Sequence, residues 1–266
     1  MNLLLVSRDE IDAAGEVLLD DRRAEHLRRV LKVEVGQRLR VGILGGGIGE
    51  GRVEAIDGEH IRLGLAVPEG APVVSRVDLI VALPRPQALH RLLQTAATMA
   101  VGRLDLIKSW RVEKSFFSSP SLRPETVRRH LLLGAEQGGG THVPEVAIHH
   151  RFVPFVESLG VPGETMRWVA HPGGRPLEPP TPAGRGRRIQ LAVGPEGGWI
   201  DREIETLGQA GFEPIDLGPW ILKVENAVTA ALAQIDLADR LGGDRRGFDT
   251  TEIGADSGRS QSPGPC

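Results

Sequence analysis

The fold of this chain is decided by residues 191–201, LAVGPEGGWID. A short apolar run, which we predict to be a buried strand, leads into a glycine-rich turn, and Asp201 heads a stretch with helical periodicity. Glycines at such a turn let the backbone approach a ligand closely, and open α/β sheets bind ligands at the carboxyl ends of their strands. The turn lacks the Gly-Lys-Ser/Thr of a P-loop. A plain strand-to-helix connection that binds nothing is the alternative interpretation.

Two more predicted strands end in similar turns. Residues 216–227, DLGPWILKVENA, leave a strand through Gly-Pro and enter a long helix for which Asn226 is a plausible N-cap. Residues 169–174, VAHPGG, form the third exit. Three such turns close together in sequence can line one pocket.

Outward from these turns, residues 74–241 alternate between strand and helix patterns. This alternation predicts an α/β domain with a mainly parallel sheet. The Pro-, Gly- and Arg-rich residues 172–188 are predicted to be a loop. The predicted strands are 77–83, 104–107, 168–170, 189–193 and 214–217, and the predicted helices are 89–100, 124–135, 204–210 and 227–241.

Residues 1–70 predict a small, mostly β domain with one early helix, which ends at a boundary near 68–72. The helix, residues 20–31, places Ala24, Leu27, Val30 and Leu31 on one face. Strand-like stretches follow, beginning with residues 33–43. The glycine-rich residues 45–51 precede a strand rather than a helix, so they are interpreted as a hairpin turn and not as a dinucleotide fingerprint.

Composition excludes several classes of protein. The 266 residues are 40% hydrophobic and 25% charged, which is typical of a globular protein of about two domains. No apolar run approaches the roughly 20 residues of a membrane span, and the N-terminal run is too short for a signal peptide, so we expect a cytoplasmic protein without a membrane partner. Cys266 is the sole cysteine, and the pair His149-His150 lacks partners at ligand spacing, so no metal site is expected. The apolar pattern stops at Gly242, and residues 242–266 are predicted to be a disordered tail.

Charge is unevenly distributed. The chain has a net charge of −3, yet residues 76–130 contain ten basic and four acidic side chains. A locally basic segment in an acidic protein suggests an anion-binding face, although scattered solvated charges explain the composition equally well. Aromatic groups available for base stacking are Trp110, Phe116, Phe117, Trp199 and Trp220.

The order Gly-Pro-Glu-Gly-Gly at 194–198, then Leu-Gly-x-x-Ile-Leu-Lys-x-Glu-x-Ala at 217–227, resembles the ribosomal small-subunit methyltransferase E family. Residues 136–137, Glu-Gln, resemble its central motif, and residues 110–115 resemble its Arg/Ser-containing segment. The resemblance covers about residues 1–241. It implies a PUA-like RNA-binding domain followed by a SPOUT methyltransferase domain with a trefoil knot, and a homodimer.

The resemblance further implies the cofactor S-adenosyl-L-methionine, bent among three knot loops. The substrate it implies is a uridine of 16S ribosomal RNA in the small ribosomal subunit, methylated at N3. Carried over to this chain, the cofactor-binding residues are His171, Gly173, Val193, Gly194, Glu196, Gly197, Gly198, Leu217, Gly218, Ile221 and Leu222.

Removal of the uracil N3 proton needs an acceptor, and the resulting anion needs a positive neighbour. Glu225 and Glu196 are the candidate acceptors, and Arg111, Lys114 or Lys223 are the candidates for stabilising the anion. For Glu225 a helix-start carboxylate without a catalytic role is the alternative. The candidate RNA-binding residues are Arg22, Arg23, His26, Arg28, Arg111, Lys114 and Lys223.

The sequence departs from the family pattern in segments expected to contact RNA. Lys-Val-Glu-Asn stands at 223–226 where Arg-Thr-Glu-Thr is usual, Trp220 replaces an Arg, and Gly138 to Gly140 occupy the stretch where an Arg is usual. Two alternatives therefore stay open. One is a SPOUT enzyme that modifies a different RNA nucleoside, and the other is a non-catalytic RNA-binding ribosome assembly factor.

Overall fold

The computed structural model describes residues 2–242, and the predicted tail therefore lies outside the described residues except for Gly242. The chain forms two β-sheets with a separate hydrophobic core for each. The smaller sheet has the order β1-β3-β4-β5-β2 and is antiparallel except where β1 pairs with β3. Its strands are β1 (Leu4–Val6), β2 (Glu16–Leu19), β3 (Arg38–Ile43), β4 (Ile48–Asp57) and β5 (His60–Ala66), with helix α1 (Arg22–Arg29) after β2.

The larger sheet is entirely parallel and has the order β11-β9-β10-β6-β7-β8. The chain builds outward from β6 to β8 and then returns to the other side of β6, so the strand order reverses between β6 and β10. Its strands are β6 (Val77–Ala82), β7 (Arg103–Ile107), β8 (Glu145–His149), β9 (Met166–Pro176), β10 (Ile189–Val193) and β11 (Glu213–Asp216). The helices are α2 (Pro86–Thr98), α3 (Pro124–Gly138), α4 (Phe152–Ser158), α5 (Asp201–Gln209) and α6 (Val224–Leu241). No helix in residues 2–242 has the length and apolar character to cross a membrane.

The mixed α/β fold class and the mainly parallel sheet are confirmed, and residues 45–51 do lie at a hairpin between β3 and β4. Four local predictions were wrong. Helix α1 ends at Arg29, so Val30 and Leu31 are exposed instead of buried, and residues 33–35 form no strand. Helix α6 begins at Val224 with Lys223 as its N-cap, and β9 continues to Pro176. The limits 1–70 and 74–241 stay predictions.

Strand β1 joins the two cores. Leu4 and Val6 point into the smaller core, whereas Leu3 and Leu5 belong to the larger one, because successive side chains of a strand face opposite sides. The backbone N–H of Leu3 also donates to the carbonyl of Glu136 at 3.2 Å, just before the end of α3. The first strand is therefore shared by both halves of the chain.

An ion pair also joins the two halves of the chain. The guanidinium of Arg22, at the start of α1, donates two hydrogen bonds of 2.8 and 2.9 Å to the carboxylate of Glu136. The Glu136 side chain is only 3% exposed, whereas that of Arg22 is 38% exposed. A buried carboxylate without its cation loses both the charge and the hydrogen bonds that compensate its desolvation.

We expect Arg22→Ala to lower the free energy of unfolding by about 2 kcal/mol, the cost of leaving a buried charged acceptor without its donors. Arg29→Ala is the matched control in the same helix. Arg29 pairs with Glu25 across an exposed surface, and such pairs are worth less than about 0.5 kcal/mol. Urea denaturation measures the free energy of unfolding of both variants, and equal effects would show that the contact between the two halves does not depend on this ion pair.

Candidate active site

The carboxyl ends of the six parallel strands bring the segments that follow them to one edge of the larger sheet. The turn of residues 194–200 follows β10 and lies beside the exits of β6 and β7. This is where the strand order reverses, and open α/β sheets bind ligands in the crevice at such a point. The geometry therefore marks this edge as the candidate site.

A buried carboxylate links two of the segments that follow these strands. Glu203, in the first turn of α5, is 5% exposed and accepts the backbone N–H of Ile200 at 3.0 Å and that of Trp110 at 2.7 Å. Trp110 follows β7, whereas Ile200 ends the glycine turn. The Glu203 carboxylate thus fixes the glycine turn against the exit of β7.

Two of the predicted catalytic residues lie on this glycine turn or touch it. Glu196 is exposed, and its Oε1 accepts the backbone N–H of Arg85, after β6, at 3.0 Å. The guanidinium of Arg111 donates to the carbonyl of Gly197. The structure therefore brings Glu196 and Arg111 to the same turn, where both remain accessible from solvent.

Gly198 has a backbone conformation that explains its residue type. Its φ is +74°, in the left-handed region that L side chains adopt at a cost. A Cβ there would meet only the Arg111 guanidinium, 3.9 Å away, so the constraint at Gly198 is the backbone angle and not space. The neighbouring Trp199 is buried, and its indole Nε1 has no hydrogen-bond partner in the part of the chain described.

The predicted loop of residues 171–174 is a bulge within β9. Val169 pairs with Pro214 and Arg175 with Ile215, so the intervening residues of β9 have no partner on β11. A Cβ at Gly174 would lie 2.6 Å from the backbone of Ile215, which only glycine allows. Val169 pairs with Ala192 near the end of β10, so His171, which is half-buried, and Gly173, which is exposed, lie at the carboxyl edge.

The third exit, residues 217–223, presents an apolar surface. Ile221 is fully exposed, and Gly218 has a φ of +115° with open space beside its Cα. The side chain of Gln234 on α6 donates to the carbonyl of Leu217 at 3.1 Å. This exit therefore leaves an apolar side chain and open glycine backbone accessible from solvent.

Glu225 lies in a different environment from Glu196. It is 8% exposed in the first turn of α6, where the helix dipole favours a carboxylate, and it pairs with Arg91 of α2 at 3.2 Å. Lys223, the N-cap of α6, is exposed. Glu225 thus pairs with a cationic side chain, whereas Glu196 accepts a backbone N–H.

The candidate RNA-binding residues of the smaller domain are unequally available. Arg22 is engaged by Glu136, and Arg23 is buried with hydrogen bonds to Glu10, Asp21 and the carbonyl of Leu5. Burial opposes the charge of Arg23, but its two carboxylate partners outweigh burial and raise its pKa. These contacts assign Arg23 to the interior of the domain. Arg28 donates to the carbonyl of Gly58 at 2.7 Å, and His26 beside it is half-buried.

The basic side chains of segment 76–130 differ in the partners that they have within the protein. Arg76, Arg91 and Arg103 have carboxylate partners. Burial, and to a lesser extent Lys114, lowers the pKa of Lys108, whose ammonium donates to the carbonyls of Ser109 and Val112. The exposed cations of this segment that have no carboxylate partner among residues 2–242 are Arg85, Arg111, Lys114, Arg123, Arg128 and Arg129.

The part of the chain described contains no group of three or more metal-ligating side chains. His149 instead hydrogen-bonds Asp105, with Nε2 at 2.7 Å from Oδ1, and its ring lies 4.3 Å from that of Phe155. Its partner in the sequence, His150, contacts Phe117. The His-His pair thus has structural neighbours.

Two family models match the chain. The RNA methyltransferase domain matches residues 71–236, and the RNA methyltransferase PUA domain matches residues 19–65. The fold and the site are therefore those of an RNA-modifying enzyme with an appended RNA-binding domain. The chain belongs to the RNA methyltransferase family.

Relatives and solved structures share this architecture. Ribosomal RNA small subunit methyltransferase E of Treponema pallidum is 26% identical over 243 residues, covering 88% of this chain and 90% of the relative. The protein of that name from Synechocystis sp. is 28% identical, covering 88% and 76%. A Neisseria gonorrhoeae Ribosomal RNA small subunit methyltransferase E structure bound to S-adenosyl methionine superposes with a TM-score of 0.72 at 20% identity, covering 89% and 97%.

Two residues of the site, Arg85 and Glu203, were not predicted from the sequence. The bond from the Arg85 backbone to Glu196 joins residues far apart in the chain, and no local pattern indicates it. Glu203 carried a partial signal, since an acid three residues after a helix start often accepts the N-cap N–H. Its second bond, to Trp110, connects segments that only the sheet topology brings together.

We expect Glu203→Ala to lower the free energy of unfolding by about 2 kcal/mol, because two backbone N–H groups lose their buried acceptor. Glu203→Gln retains one carbonyl oxygen and should cost less. Glu205→Ala, on the exposed face of the same helix, is the control and should change stability by less than about 0.5 kcal/mol. Chemical denaturation checks the order, and a Glu203→Ala variant as stable as the control would contradict the role assigned to this carboxylate.

Proposed function

We propose that this protein is an S-adenosyl-L-methionine-dependent methyltransferase that methylates N3 of a uridine in 16S ribosomal RNA of the small subunit. The observation that carries the proposal is the glycine turn 194–200, which hydrogen bonds fix beside the exits of β6 and β7 at the reversal of strand order. The names of the relatives support the substrate, and the S-adenosyl methionine bound to the Neisseria protein supports the methyl donor.

The residues at the carboxyl edge fit this cofactor. Bound S-adenosyl-L-methionine supplies a methyl group already activated by the sulfonium. The turn 194–198 and the β9 bulge at His171 and Gly173 offer backbone groups, while Leu217, Ile221 and Leu222 offer apolar contact, and the buried Val193 ends the strand that leads into the turn. Holding a nucleophile in line with such a group lowers the barrier by up to about 7–11 kcal/mol, so positioning is the main task of the protein.

The uracil N3 must lose its proton before it attacks. Glu196 is exposed at the glycine turn, and Glu225 lies at the start of α6; both are proposed as acceptors of that proton. Arg111, which contacts the turn at Gly197, is proposed to stabilise the uracil anion electrostatically, with Lys223 beside the third exit.

The proposal includes the way the substrate is held. His26 and Arg28 of the PUA domain, together with Lys114, are proposed to contact RNA, whereas Arg22 and Arg23 are engaged within the protein. A trefoil knot formed by the three exits, a homodimer and action in the cytoplasm belong to the same proposal. The exposed Ile221 and the exposed Leu237 of α6 provide apolar surface for a second copy.

The reaction is tested with methyl-labelled cofactor and small subunits from cells that lack the protein. We expect label in 16S RNA, released by digestion as 3-methyluridine in mass spectrometry. Label in another nucleoside would support a different SPOUT specificity. Binding of the cofactor without any label would support the assembly-factor alternative.

The cofactor pocket is tested by Gly198→Val. At a φ of +74° a β-branched side chain is strongly disfavoured, so the turn must rearrange and we expect S-adenosyl-L-methionine binding to be lost in calorimetry. Gly208→Val adds the same side chain on α5, where nothing lies within 4 Å and the backbone is helical, and should bind like wild type. A folded Gly198→Val protein with wild-type affinity would remove this turn from the pocket.

A further inference from the structure

The four tryptophans of the chain fall into two groups. Trp168 and Trp199 are buried at 8% and 6% exposure, whereas Trp110 and Trp220 are 78% and 79% exposed. Tryptophan is a side chain that folded proteins bury to a large extent on average. An indole held in solvent beside the candidate site therefore indicates a role outside the core.

The backbone of Trp110 is fixed although its side chain is not. Its N–H donates to the buried carboxylate of Glu203 at 2.7 Å, and Val112, two residues later, is buried in the larger core. No aromatic ring in the part of the chain described stacks on the Trp110 indole. The protein thus presents, on a fixed backbone, an indole whose π-faces are accessible.

The charges around Trp110 match a polyanion that also carries aromatic bases. Arg111 follows it directly and reaches the glycine turn at Gly197, and Lys114 is exposed three residues further on. Neither cation has a carboxylate partner in residues 2–242. Single-stranded nucleic acids are held in this way, by cations on the phosphates and aromatic rings stacked on the bases.

We propose that Trp110 is a base-stacking platform for the substrate RNA. Its indole stacks on an unpaired base beside the nucleotide that enters the site, while Lys114 contacts a neighbouring phosphate and Arg111 keeps the role proposed for it at the uracil anion. The inference rests on the proposed function, because it names the part of the chain that holds the substrate of that reaction. RNA enzymes that act on exposed bases commonly stack the unpaired bases on aromatic side chains.

Trp220 does not share this role. It follows β11, four strands from β7 in the sheet, which corresponds to about 19 Å at the usual strand spacing. Its neighbour Ile221 is fully exposed, and both lie within the exit proposed for the cofactor and the second copy. The exit that contains Trp220 has one cation, Lys223, whereas two exposed cations, Arg111 and Lys114, lie within four residues of Trp110.

The test uses the full chain and two fluorescently labelled probes, a 12-nucleotide oligouridylate and a 12-unit abasic ribose-phosphate chain with the same phosphates. Trp110→Leu keeps an apolar side chain but removes the π-face, and Trp110→Phe keeps a smaller one. The fold should be unchanged in both, because the structural contact of Trp110 is made by its backbone.

We expect Trp110→Leu to weaken binding of the oligouridylate by roughly 5-fold or more and to leave binding of the abasic chain unchanged, with Trp110→Phe between Leu and wild type. Equal binding of the oligouridylate by Trp110→Leu and wild type would overturn the proposal. An equal loss on both probes would also overturn it, since the side chain would then act without a base.

A second readout separates this inference from the proposed function. Calorimetric binding of S-adenosyl-L-methionine should be the same in Trp110→Leu and wild type, while the KM for small subunits rises. A wild-type protein that transfers no methyl group to ribosomal RNA contradicts the proposed function, whatever the Trp110 variants do. A loss confined to the base-containing probe supports the stacking platform independently of that result.

Discussion

The buried carboxylate of Glu203 is the constraint on which the candidate site depends. Its two backbone hydrogen bonds reach the end of the glycine turn and the residue that follows β7, so two separately built connections have one fixed relative position. The Arg85 backbone bond to Glu196 and the Arg111 bond to Gly197 add to the same arrangement. The polar contacts that hold the site are therefore mainly contacts to backbone, and they leave the side chains of Glu196 and Arg111 at its surface.

This arrangement explains why the site combines rigid and exposed parts. A methyl-transfer site must hold reacting atoms in line, which requires fixed backbone, and it must also admit a large RNA, which requires open surface. Parallel strands meet both needs, because their buried runs anchor the connections from below while the carboxyl edge faces solvent. Of the exposed cations of segment 76–130, Arg85 follows β6 and Arg111 and Lys114 follow β7, whereas Arg128 lines a pocket between α3 and the smaller domain.

Sequence patterns predicted the glycine exits and every strand of the larger sheet except β8, because both depend on local signals. A continuous apolar run such as residues 189–193 has few alternatives to a buried strand, and Gly-Pro-Glu-Gly-Gly has no helical interpretation. The errors at Val30 and Leu31 arose where helical periodicity continued past the real end of α1. The Trp110–Glu203 and Arg22–Glu136 hydrogen bonds join residues about 90 or more positions apart, and no periodicity in the sequence indicates such pairs.

The strand shared by the two cores has a consequence for the order in which the chain acquires structure during its own synthesis. Leu4 and Val6 can join their core once the strands up to β5 have been made, whereas Leu3 and Leu5 wait for the α/β half. A nascent chain emerges N-terminus first, so one face of β1 stays uncovered until α3 leaves the ribosome. The smaller domain can thus form its own core early, but the contacts of Leu3 and Leu5 with the larger core form only when both halves have been made.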